Sequence, residues 1–245
     1  MDELEKTSVE NLSLFRIIVL GLFPGLMTIL VAIVFANPFL GLNLPLLLVG
    51  IIAMAGLGNV PTELCILKII ACKENRKIKD IILYKNKTSM KKYILSIVIT
   101  FIFAGTVFVL FEPYENKLWD YFKIFDFIPD WFRSDKINMQ EYNNMKIIVV
   151  LYYFLNGFIA PFVEEIYFRG YLLPRMGSFG KFAPLLNVII FSLYHLFSPW
   201  QIITRIIALT PMAYSVWMNK DVKIGIMAHC LLNIVGNIGM IMFLF

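Results

Sequence analysis

Charge is scarce in this chain. Only 16% of its 245 residues are Asp, Glu, Lys or Arg, while 59% are hydrophobic. A soluble domain carries about 25% charged residues, so an ordinary water-facing surface is excluded. The deficit is resolved if much of the surface faces hydrocarbon. Cysteine is equally sparse. Cys65, Cys72 and Cys230 form no CxxC, which excludes a disulfide framework and a zinc knuckle and leaves reduced structural thiols as the expectation. There are only two histidines and no HExxH, so the usual helical zinc-protease geometry is absent. The start lacks the positive region of a signal peptide, with Asp2, Glu3 and Glu5 in its place. The apolar run after it is too long for such a peptide and should remain as the first span. No internal repeat and no low-complexity segment occurs. The net charge of +5 is gathered mostly in one loop with no basic–aromatic platform, so it reads as membrane topology and not as a nucleic-acid surface.

What the chain has is long apolar runs. Leu14 to Ala36 is long enough to span, at roughly 20 residues per crossing. Pro38 to Cys72 is interrupted by Pro45, Asn59 and Pro61 and reads as one crossing plus a kinked or short extension, with Glu63 and Lys68 near an interface. Lys73 to Lys92 holds eight basic residues against Glu74 and Asp80, which makes this loop cytoplasmic and, two crossings earlier, the N-terminus cytoplasmic too. Tyr93 to Phe111 crosses outward. Glu112 to Glu141 carries seven acidic residues against four basic ones, with Trp119 and Trp131, and reads as an external loop lying partly in the interface. Further crossings start at Lys146, Pro184, Gln201 and Val222, with turns at 174–184, 198–200 and 219–221. The expected fold is an all-α polytopic membrane bundle of about seven helices, six to eight, formed by residues 1–245 as a single integral membrane domain with its motif core at about 146–240.

Titratable groups at membrane depth are costly and mark functional sites. Three apolar segments carry them. Glu164 and Glu165 stand in Ala160-Pro161-Phe162-Val163-Glu164-Glu165-Ile166-Tyr167-Phe168-Arg169-Gly170. Residues four apart share a helix face, so Arg169 neutralises Glu165, while Glu164 points about 100° away with no cation in helical reach. An unpaired carboxylate in apolar surroundings is a competent general base or acid. Glu164 is therefore assigned to chemistry and Glu165 to positioning. The alternative is a charge cluster at a helix end. His195 follows Asn187 and Phe191 along one face, and His229, Asn233 and Asn237 line another. Taken singly, the first reads as a packing histidine and the second as interhelical hydrogen bonding. Taken together they converge: two antiparallel helices joined by a turn centred near Phe179 put Glu164 and His195 level, on the order of 15 Å from that turn, and His229 at roughly 10 Å.

The set Glu164-Glu165-x-x-x-Arg169, Phe191-x-x-x-His195 and His229-x-x-x-Asn233, in that order on separate membrane helices, resembles the CPBP family. These are CAAX-protease and bacteriocin-processing intramembrane proteases, related to the eukaryotic endopeptidase that trims prenylated CAAX proteins. The resemblance spans roughly 160–233 and implies peptide-bond hydrolysis in the membrane. By position, Glu164 would activate the attacking water and His195 would hold or share its proton. His229 and Asn233 would donate to the oxyanion, and Arg169 would orient Glu165 or meet a substrate carboxylate. Family members are described both as metal enzymes and as glutamate-dependent ones. If a metal is bound, Glu164, His195 and His229 would form a three-ligand zinc site. The implied partners are a peptide or lipidated protein substrate and the lipid bilayer, in a prokaryotic plasma membrane, with the site in its cytoplasmic half. The competing readings are a non-catalytic scaffold or bacteriocin self-immunity protein of the same fold, and a small transporter. Arg205 stays outside the protease reading: it would cap the cavity, pair with Glu165 or snorkel outward.

Overall fold

The computed structural model describes residues 10–36, 46–122 and 145–238. Within them the chain is mainly helical, with no strand among the described residues beyond one isolated bridge between Lys85 and Asp221. The order is α1 (Leu14–Ala36), α2 (Leu46–Ala53), α3 (Val60–Lys73), α4 (Ile78–Ile81), α5 (Met90–Phe122), α6 (Met145–Tyr152), α7 (Ala160–Glu165), α8 (Ala183–Tyr194), α9 (Ile202–Asn219) and α10 (Val222–Gly236). Three π-helical stretches, Met54–Asn59, Tyr153–Ile159 and Ile166–Leu172, join α2 to α3, α6 to α7, and α7 to the turn at Leu173–Arg175.

Five segments among the described residues are long and apolar enough to cross a membrane: Leu14–Val34, Leu48–Lys73, Met90–Phe122, Met145–Arg175 and Gly177–Tyr194. Alpha-10 is apolar but shorter, and α9 carries Arg205. The all-α membrane bundle expected from composition is what forms. Phe15, Leu26, Ile33, Ile102, Val109 and Leu110 are exposed on α1 and α5, as a lipid-facing surface requires.

Two boundaries differ from the sequence reading. Alpha-5 does not stop at Phe111 but continues to Phe122 through Pro113, so Glu112 to Asp120 are helical and not loop. Polarity there signalled a loop, yet the backbone hydrogen bonds continue the helix. The rest of the acidic and aromatic stretch, Trp131 included, lies outside the described residues. The extension after Asn59 is α3, with Pro61 in its first turn, where a missing N–H costs nothing. Glu63 on it is not interfacial but fully buried.

Packing is governed by the small and polar residues. Pro24 inside α1 cannot donate to the Leu20 carbonyl, and the Tyr167 hydroxyl does so instead at 2.8 Å. Gly21 and Gly25 let α1 lie directly on α8. A Cβ at Gly25 would meet the Tyr194 carbonyl oxygen at 2.1 Å, and one at Gly21 would meet Ile190 Cγ2 at 2.2 Å. Alpha-8 and α9, α5 and α9, and α5 and α10 pack against one another to complete the bundle.

One end of the bundle is tied together by its loops. Leu83 N–H donates to Gly170 O at 3.1 Å, Asn86 N–H to Lys220 O at 2.9 Å and Val222 N–H to Tyr84 O at 3.0 Å. Arg175 Nη1 donates to Ile81 O at 3.0 Å, and Leu12 N–H to Arg175 O at 2.9 Å. Asp221 caps α10 by accepting from Lys223 N–H at 3.1 Å and also accepts from Thr88 N–H at 3.2 Å. The basic loop, the turn after 170 and the turn at 219–221 therefore share one end.

Candidate active site

The motif residues gather inside this bundle. Glu164 and Glu165 end α7, and Arg169 lies in the π segment directly after it. Glu165 is fully buried and doubly engaged. Its Oε1 lies 3.0 Å from Arg169 Nη1 and 3.0 Å from His229 Nδ1. The Arg169 guanidinium also stacks over the Phe191 ring at 4.1 Å. A carboxylate oxygen can only accept, so His229 donates from Nδ1 and turns Nε2 toward Glu164, whose Oε2 is 3.9 Å away. Alpha-10 approaches Glu165 this closely because of Gly225, where a Cβ would lie 2.3 Å from Glu165 Oε2.

The other oxygen of Glu164 is occupied. Asn59 Nδ2 donates to Oε1 at 2.7 Å, and the Tyr194 hydroxyl donates to the same atom at 3.3 Å. Asn59 ends the first π segment, so its side chain reaches Glu164 from 105 residues away. Glu63, one turn further on, is buried within reach of the charges of Glu164, Glu165 and Arg169, with the Tyr194 hydroxyl beside it. Sequence reasoning did not select Asn59, Glu63 or Tyr194. The available signal was the polar pair Asn59 and Glu63, four apart in an apolar run.

His195 is not inside a helix. Alpha-8 ends at Tyr194, and His195 N–H bonds back to Ser192 O at 3.3 Å. The Phe191 carbonyl, without its usual partner at this helix end, accepts from His195 Nδ1 at 2.9 Å. That bond places the proton on Nδ1 and leaves the lone pair on Nε2. Phe191 packs edge-on against both imidazoles, with centroids 4.7 Å from His195 and 5.8 Å from His229. Asn233 donates from Nδ2 to Asn156 O at 2.8 Å, a carbonyl of the second π segment, which keeps one amide hydrogen uncommitted. Asn187, on the same stripe as Phe191, donates to Phe168 O at 2.9 Å in the third. Each π segment thus meets a polar side chain at or beside the site, as such local insertions often do at functional positions.

The metal set that the resemblance allows is Glu164, His195 and His229. Among the described residues, no three His, Cys, Asp or Glu side chains stand where they could hold a metal ion. Both histidines commit Nδ1 within the protein, His195 to the Phe191 carbonyl and His229 to Glu165. The residues present do not fit a zinc ion. Arg205 does not pair with Glu165 either, but donates to Ser198 and Gln201.

Residues 146–235 match the family model described as Rce1-like, type II CAAX prenyl endopeptidase. This segment is similar to that endopeptidase family. It contains all three motifs and is consistent with the CPBP resemblance. No curated protein and no solved structure matches the chain. The long apolar helices, together with this similarity, indicate an integral membrane protein.

Proposed function

We propose that the chain is an intramembrane endopeptidase in which Glu164 activates the attacking water, and that it cuts lipidated or hydrophobic peptides entering from the cytoplasmic leaflet. The observation that carries this reading is the division of labour on Glu164. Oε1 is held by Asn59 and Tyr194, which leaves Oε2 facing His229 Nε2 across 3.9 Å. That gap is too long for a direct hydrogen bond and suits one bridging water. Arg169 and His229 both hold Glu165 through Oε1, which suits it to positioning. It orients His229.

These positions support the following chemistry. Glu164 Oε2 takes a proton as the water oxygen adds to the scissile carbonyl carbon. The carbonyl oxygen becomes an oxyanion. His229, which as the imidazolium carries a proton on Nε2 beside the one that Nδ1 gives to Glu165, and the free amide hydrogen of Asn233 donate to it, and one such donor is worth about 3 kcal/mol of barrier. His195 Nε2 shares the proton with Glu164 and passes it to the leaving nitrogen as the C–N bond breaks. The basic loop at the end shared by residues 12, 170–175 and 219–221 supports a cytoplasmic assignment of that end.

Single-turnover hydrolysis in heavy-oxygen water tests the water route. Direct attack places the heavy oxygen in the new carboxylate on the first turnover. Light oxygen in that product would instead mean that the Glu164 carboxylate itself attacks.

A further inference from the structure

One buried cation has no role in the catalytic cluster. Arg205 lies in the first turn of α9 and is 7% exposed. Its Nη2 donates to Ser198 Oγ and, at 2.7 Å, to Gln201 Oε1. Gln201 spends its amide nitrogen on Glu115 Oε2 at 3.0 Å. A neutral side chain therefore separates the guanidinium from Glu115, and no carboxylate forms an ion pair with Arg205 among the described residues. Among the described residues, Arg205 Nη1 has no hydrogen-bond partner, and neither has Glu115 Oε1. A buried guanidinium with an open nitrogen is costly to maintain and calls for a functional explanation. Of the other two buried arginines among the described residues, Arg169 also has nitrogens without a hydrogen bond, but a carboxylate 3.0 Å away neutralises it and Arg205 has none. Arg169 holds Glu165 and Phe191, and Arg175 holds the carbonyls of Ile81 and Tyr171.

Arg205 also borders the site. Ser198, to which it donates, gives its own N–H to the His195 carbonyl at 2.9 Å. The Arg205 charge acts on both His195 and Glu164.

We infer that Arg205 anchors the free α-carboxylate of a peptide substrate and so selects bonds close to a C-terminus. This rests on the protease reading above. A guanidinium offers two parallel N–H groups that match a carboxylate. Nη1 supplies one of them. Gln201, only partly buried, is the movable cover whose rotation releases Nη2 as the second. A CAAX sequence lies at a C-terminus, so a cut inside it falls within three residues of the carboxylate, about 10 Å of extended chain.

The test compares two forms of one prenylated CAAX-type peptide, the free acid and the C-terminal amide, with purified full-length protein. Wild type should favour the acid about tenfold or more in kcat/KM, mostly through KM. In Arg205→Gln the acid-to-amide ratio should fall to about one, and Arg205→Lys should keep part of it. Equal cleavage of acid and amide by wild type would overturn the inference while leaving the protease reading intact, and needs no variant to fold. An Arg205→Gln protein that keeps the full preference would overturn it too. Cleavage of neither peptide by wild type would overturn the protease reading and the inference with it.

Discussion

Gly225→Ala should damage the site without touching a catalytic residue. The new Cβ would lie 2.3 Å from Glu165 Oε2, 3.1 Å from its Cδ and 3.2 Å from Val216 Cγ2. Glu165 cannot simply retreat, because its Oε1 is pinned at 3.0 Å by both Arg169 and His229. Either the carboxylate shifts and weakens those bonds, or α10 backs away and takes His229 with it. A hydrogen bond to a charged group is worth about 1.5–3 kcal/mol. Against this, Ala in a helix gains about 0.5–1 kcal/mol over Gly. The net expectation is a loss of about 1–2 kcal/mol in stability. With His229 misdirected, the rate should fall about tenfold to a hundredfold. Gly105→Ala in α5 is the matched control, since a Cβ there meets nothing within 4 Å. It should be neutral or slightly stabilising. Thermal melts in detergent and turnover of a fluorogenic peptide read both effects. A Gly225→Ala protein with wild-type melting and turnover would refute the reasoning, as would a Gly105→Ala protein equally impaired in both.

Three further outcomes are expected. Asn59→Ala removes the 2.7 Å donation to Glu164 and leaves only Tyr194 at 3.3 Å, so kcat should fall about tenfold or more in a protein that still folds; a rate within twofold of wild type would deny Asn59 this role. Asp221→Ala removes the α10 cap and the tie to Thr88, so melting should drop by an amount matching about 1–2 kcal/mol while kcat stays near wild type, and an unchanged melt would contradict it. Dialysis against a strong chelator should leave turnover unchanged, because no three-ligand set stands among the described residues; loss of turnover restored by zinc would show that the site residues rearrange around the ion.

The readable part of this protein was local. Glu165 and Arg169 are four residues apart, and helical spacing alone paired them. The apolar runs announced the spans, because hydrocarbon tolerates little else. The unreadable part was tertiary or came from broken periodicity. Asn59 and Tyr194 act on Glu164 from other helices, across 105 and 30 residues. No spacing rule reaches that far. Each of the three π segments rotates the helix beyond it, so faces counted at 3.6 residues per turn drift past them. The end of α8 at His195 has no glycine or proline to mark it, the next proline being Pro199. Glu63 was placed near an interface because a charged residue at the rim of a span is the commoner case. Its burial beside Glu164 comes only from the packing of α3 against α7.

The central claim is that Glu164 makes this membrane bundle a hydrolase. The most direct measurement is cleavage of a quenched fluorescent lipidated peptide by purified wild-type protein beside Glu164→Ala, with the variant's fold checked by its melt. Wild type should cleave the peptide and the folded variant should not. Full cleavage by Glu164→Ala would contradict the claim.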